Sequence, residues 1–64
     1  MEPKTDIIVK LTGVDGNAFA VMNKVIKALR QGGHRELIQE FLKEAVSGDY
    51  DHLLQTCSRY VIIE

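Results

Sequence analysis

The apolar residues of this chain recur with two different periods, and the changes of period mark its elements. From Asp6 to Thr12 the pattern alternates. Ile7, Val9 and Leu11 point one way and Ile8, Lys10 and Thr12 the other, as on a strand. Gly13-Val14-Asp15-Gly16 is rich in residues that tolerate positive φ and reads as a tight turn. From about Asn17 to Gln31 the period becomes helical. Ala18, Phe19, Val21, Met22, Val25, Ile26, Ala28 and Leu29 fill one half of the wheel; Asn23, Lys24, Lys27, Arg30 and Gln31 fill the other. Asp15, Gly16 or Asn17 is the expected N-cap, and Gly32-Gly33 ends the helix.

A second helix is predicted over about 35–46, with Leu37, Ile38, Phe41, Leu42, Ala45 and Val46 on its apolar face. Glu36, Glu40 and Glu44 form an acidic row on the opposite side, spaced i, i+4, i+8. Ser47-Gly48 breaks this helix, and Asp49 caps a third that runs to about Tyr60. Tyr50, Leu53, Leu54, Cys57, Tyr60 and Val61 share its apolar arc. The β-branched run Val61-Ile62-Ile63 then predicts a short closing strand.

The predicted order is β-α-α-α-β, an α+β fold in one small domain over 1–64, with residues 1–4 frayed. Three amphipathic helices need a shared apolar surface, which one face of a two-stranded sheet supplies. The first and last strands are its natural partners, parallel or antiparallel; an all-α bundle with extended ends is the alternative. The expected core is Val9, Leu11, Phe19, Met22, Ile26, Leu29, Leu37, Phe41, Leu42, Leu53 and Cys57.

Composition narrows the function classes. A chain of 64 residues with 45% apolar content and a net charge of −1 is neither a disordered tail nor a strongly basic phosphate binder. One cysteine excludes an internal disulfide, and no apolar run exceeds five residues, far short of the ~20 that span a bilayer. No charged-then-apolar signal opens the chain, so the expectation is a soluble cytoplasmic domain with no membrane partner.

The segment Val9-Lys10-Leu11-Thr12-Gly13 through Asp15-Gly16-Asn17-Ala18-Phe19, then Phe41, Glu44-Ala45 and Ser47-Gly48-Asp49-Tyr50-Asp51-His52-Leu53-Leu54, resembles a family of short bacterial and phage-borne proteins. Its members share a glycine turn ending in Gly-Asn-Ala-Phe and a later Ser-Gly-Asp-Tyr-Asp-His-Leu-Leu segment. The family carries no assigned activity, so the resemblance implies a bacterial or prophage origin and no mechanism.

Candidate chemistry is sparse. The Gly13–Asn17 turn precedes a helix N-terminus, where anions bind. It lacks the Gly-Lys-Ser/Thr of a phosphate loop, and Asp15 would repel an anion. His34, Asp49, Asp51, His52 and Cys57 are metal-ligand types without paired close spacing. Cys57 lies about 140° from His52 on the helix wheel, so one helix cannot bring both to an ion. Cys57 reads as a buried small hydrophobe and His52 as a solvated side chain beside Asp49. A domain this small has little room for a pocket of ~300 Å³. No catalytic, cofactor or metal site is expected, and a small enzyme or metal protein is the weakest reading.

Three surfaces remain. Lys24, Lys27 and Arg30 form a basic stripe on the first helix, a nucleic-acid or partner contact; residues 1–33 carry a net +2 and residues 34–64 a net −3. Specific nucleic-acid recognition also needs stacking aromatics or base readers, and here every Phe and Tyr falls on an apolar face. The simpler expectation is a solvated helix face partly paired with Glu36, Glu40 and Glu44, which otherwise form an acidic partner face. On the sheet's open side, Ile8, Lys10 and Ile62 mark a face for weak homodimerisation, with Glu64 beside them. The leading expectation is a non-enzymatic protein-interaction or regulatory module. A weak nucleic-acid binder using the first helix is the alternative.

Overall fold

In the computed structural model, which describes residues 3–11 and 16–64, helix α1 spans Ala18–Gln31. Asn17 caps it: its Oδ1 accepts the Ala20 N–H at 3.2 Å, whereas Asp15 lies outside the described residues. The helix ends in a Schellman motif. The His34 N–H donates to Leu29 O at 2.7 Å and the Gly33 N–H to Arg30 O at 3.3 Å, with Gly33 at φ +82°.

The second predicted helix divides. Arg35–Leu37 is a single 3₁₀ turn, and α2 is Ile38–Ala45. No side-chain oxygen caps the entry at His34, so the first turn tightens instead, with the Leu37 N–H on His34 O at 3.0 Å. Helix α3 is Tyr50–Tyr60, capped by Asp49 Oδ1 accepting the His52 N–H at 2.9 Å.

Strands β1 (Ile8–Val9) and β2 (Ile62–Ile63) pair in parallel, with Ile8 opposite Ile62 and Val9 opposite Ile63. The intervening helices are the crossover a parallel pair requires. Both strands are shorter than predicted. Val61 still gives its N–H to Cys57 O as the end of α3, so β2 starts one residue later. Pairing nevertheless continues irregularly on both sides. The Lys4 N–H donates to Arg59 O at 2.9 Å, the Thr5 N–H to Tyr60 O at 3.2 Å and the Leu11 N–H to Glu64 O at 3.3 Å. Lys4 is therefore tied down rather than frayed. The hydroxyl of buried Thr5 locks this corner, donating to Tyr60 O at 2.7 Å and accepting the Ile7 N–H at 3.2 Å. Thr12 lies outside the described residues.

The helices cover one side of the sheet: Val9 and Leu11 are buried, and Ile8, Lys10 and Ile62 are exposed. At the centre, Phe41 is fully buried with Val21, Val25, Leu29, Cys57 and Val61, and meets Tyr60 edge-on at 5.5 Å between ring centroids. Leu53 is buried as predicted, while Met22, Ile26, Leu37 and Leu42 are half-buried. Phe19 departs from expectation, being 75% exposed. It stands at the margin of the α1 arc, about 80° around from Leu29, in the first turn, and Val21 and Val25 hold the centre of that face instead. Among the described residues no helix is long and apolar enough to cross a membrane.

Candidate functional site

Glu40 and Glu44 of the acidic row face α3 and the N-terminal segment. Tyr60 Oη donates to Glu40 Oε2 at 2.8 Å; Lys4 Nζ lies 2.9 Å from the same oxygen and 5.5 Å from the Tyr60 ring centroid. Burial first, then the Glu40 carboxylate, pushes the Tyr60 phenol up to about 12. Lys4 first, then the Tyr60 hydroxyl, holds the Glu40 carboxyl below its ordinary value. Glu44 Oε1 stands 3.7 Å from Arg59 Nη1, and Glu36 stands 3.7 Å from His34. Glu40 and Glu44 thus pair with Lys4 and Arg59 rather than with Lys24, Lys27 and Arg30, because they are turned away from α1, and Glu36 lies beside His34. An open groove of about 500 Å³ lies along this side, with two carboxylates and three cations on its walls. That is more room than the chain length suggested.

At the α2–α3 joint, Ser47 and His52 come together in a way the sequence did not announce. His52 Nε2 lies 3.1 Å from Ser47 Oγ, 3.0 Å from Glu44 O and 3.8 Å from Glu44 Oε1. A serine nucleophile would need that nitrogen unprotonated. Glu44 O can only accept, however, so the nitrogen facing it carries the proton, by assignment from the network. The Ser47 hydroxyl donates to the same carbonyl at 2.7 Å. Both side chains therefore close the C-terminal end of α2, and the His52 ring is half-buried there rather than solvated. A Cβ on Gly48 would lie 2.7 Å from the His52 ring, so glycine is what lets the ring fold back. Much of the Ser-Gly-Asp-Tyr-Asp-His segment thus serves this joint.

Cys57 is fully buried, and burial pushes its thiol up to about 11, away from the thiolate that nucleophilic chemistry requires. No three of His, Cys, Asp and Glu gather as metal ligands among the described residues. Of the Gly13–Asn17 turn, Gly13, Val14 and Asp15 lie outside the described residues. The Gly16 N–H donates to Tyr50 Oη at 2.5 Å, so it is not free for an anion.

A second groove, open and about 250 Å³, is apolar. Ala18, Phe19 and Met22 of α1 form one wall, and Ala45, Val46 and Tyr50 much of the rest. Phe19 and Val46 stand at its rim, 75% and 65% exposed. Sequence reasoning missed it by assigning Phe19 to the core; the marginal wheel position of Phe19 was the available signal. On the same helix Lys24, Lys27 and Arg30 are exposed and, among the described residues, form no ion pair. Ile8 and Ile62 lie side by side on the open sheet face, with Lys10 exposed nearby. No protein-family model, curated protein or solved structure matches the chain.

Proposed function

We propose that this chain is a non-enzymatic interaction module, an accessory or regulatory protein that works by docking another polypeptide. The apolar groove beside Phe19 and Val46 carries the reading. An aromatic ring left in water at the rim of an apolar concavity is the arrangement of a contact anchor, since burying it against a partner is strongly favourable. The Ser47–His52 pair supports the non-enzymatic half, because both groups are already spent on a helix end. A buried, reduced cysteine suits a cytoplasmic setting, and the family resemblance favours a bacterial or phage origin.

A photo-crosslinking residue at position 46 tests this in the cell that makes the protein. The expected result is a nuclease-resistant adduct with another protein that disappears in Phe19→Ala. Adducts abolished by nuclease, or unchanged by Phe19→Ala, would overturn it.

One observation favours a second reading, a weak nucleic-acid binder. Exposure of Phe19 puts a ring capable of stacking on the helix that bears Lys24, Lys27 and Arg30. Three phosphate contacts on B-DNA would give a log K versus log salt slope of about −2.7, and charge reversal at all three should abolish it. Weak self-association through Ile8 and Ile62 is a separate proposal. A mass holding at 7.2 kDa at millimolar concentration would exclude it.

A further inference from the structure

The apolar groove lies where α1 meets the end of α2 and the start of α3, and the apolar rows that run on from it along α1 and α2 are informative. It brings the first turn of α1 beside the end of α2, while residues 32–37 join the other ends of these two helices, which therefore lie alongside in opposite chain directions. Phe19 and Met22 begin a row along α1 that Ile26 continues at the next helical step; Val46 begins a row along α2 that Leu42 and Ile38 continue. All six are half-buried or exposed. Each row rises about 10–12 Å, two turns of helix, which is the reach of anchors at i, i+3 or i+4, and i+7.

Resting on the docking reading above, we infer that the occupant of this groove is an amphipathic helix with acidic flanks. A helix suits it because α1, α2 and α3 supply most of the walls, and their backbone groups are already paired, so mainly side-chain surface is on offer. A docked strand needs free backbone donors and acceptors, which a sheet edge supplies and this groove does not.

The charge follows from what borders the rows. Helix α1 contains no acid, and its outward side carries Lys24, Lys27 and Arg30. On α2 the neighbours on the solvent side are Gln39 and Lys43, while Glu40 and Glu44 are drawn toward Lys4 and Arg59. Asp49 is on the groove wall at the start of α3 and keeps its negative charge while accepting the His52 N–H, so the acidic flanks are to lie along α1, away from that end. Acidic flanks on the partner would therefore meet Lys27 and Arg30 along the α1 row, Lys43 lying on the wall of the other groove. A second copy of this chain offers no acidic flank on this face, since α1 contains no acid and Glu40 and Glu44 are drawn to Lys4 and Arg59.

Titrating the isotopically labelled protein with two helical peptides tests the inference. Both carry leucine at i, i+3 or i+4, and i+7; one has glutamate flanks and the other lysine flanks. The acidic peptide should move the amide resonances of Phe19, Met22, Leu42 and Val46 and bind roughly tenfold more tightly than its lysine counterpart. Lys27→Glu with Arg30→Glu should reverse that preference. Phe19→Ala with Val46→Ala should weaken both peptides by roughly tenfold or more, folding being checked by the unchanged spectrum elsewhere. Equal affinities, shifts confined to Ile8 and Ile62, or resonances that move with protein concentration alone would overturn the inference. So would failure of both peptides; crosslinking from position 46 to a protein would then leave the docking reading standing, and its absence would remove that as well.

Discussion

The two phenylalanines of this domain sit on amphipathic helices that pack against each other, yet one is fully buried and the other is three-quarters exposed. Phe41 faces the α2–α3 side. There Tyr60 closes on it edge-to-face, and the Lys4–Glu40–Tyr60 cluster closes over Tyr60 in turn. Phe19 faces the α1–α2 side, where nothing in the described chain is laid across it. Apolar character alone does not place a ring inside. On the α2–α3 side the apolar interior is closed off by polar and charged groups, which wall the open groove outside it, and the α1–α2 side is an apolar surface without such a cover.

The largest expected effect tests the closed side. Phe41→Ala removes the central ring and should cost about 3–5 kcal/mol, enough to unfold much of a domain this small. Urea denaturation would measure it; a midpoint shift within error would show that the closed side is not the core. Next comes the α1–α2 turn that sets the two sides apart. Gly33 is in the left-handed region with open space around its Cα, so Gly33→Ala should cost roughly 1–2 kcal/mol through backbone strain alone, and Gly33→Asn less. An alanine variant as stable as the parent would remove the Schellman stop from the account.

The closed side should also show in the alkaline limb. Cys57 and Tyr60 both have folded-state pKa values raised by burial, to about 11 and about 12. Unfolded chains lose these protons from their ordinary values of 9.0 and 10.0, so above pH 9 the folded state holds more protons and stability falls as pH rises. The loss should run from about pH 9 to 12, and Tyr60→Phe should flatten its upper half. An unaltered upper limb in that variant would mean the phenol is not shielded. Glu40 works in the opposite sense: its lowered pKa contributes stability that disappears as pH falls through and below 4.5.

How much of this was legible beforehand depended on which physics was local. Three helices, the Gly32-Gly33 stop and the Asp49 cap come from residues within one or two turns of each other, and apart from the 3₁₀ first turn of the second helix they are where periodicity put them. Parallel pairing was not legible, because alternation in Ile7–Leu11 is the same for either direction. Neither was the anchoring of Lys4, whose backbone bond to Arg59 needs no particular side chain. A helical wheel shows which residues share a face but not how far a neighbour extends along it, so Phe19 was misplaced. The His52 cap on α2 was hidden for a related reason: it depends on how the Ser47–Gly48 joint folds, and spacing alone does not describe that.

The smallest expected effect is the most direct test of the central claim, that the Phe19–Val46 side is surface kept free for a partner. In the double variant Phe19→Ala/Val46→Ala, equilibrium unfolding in urea should give a stability within about 0.5 kcal/mol of the parent and an unchanged dependence on denaturant. A loss approaching that of Phe41→Ala would contradict the account and make both residues part of the core.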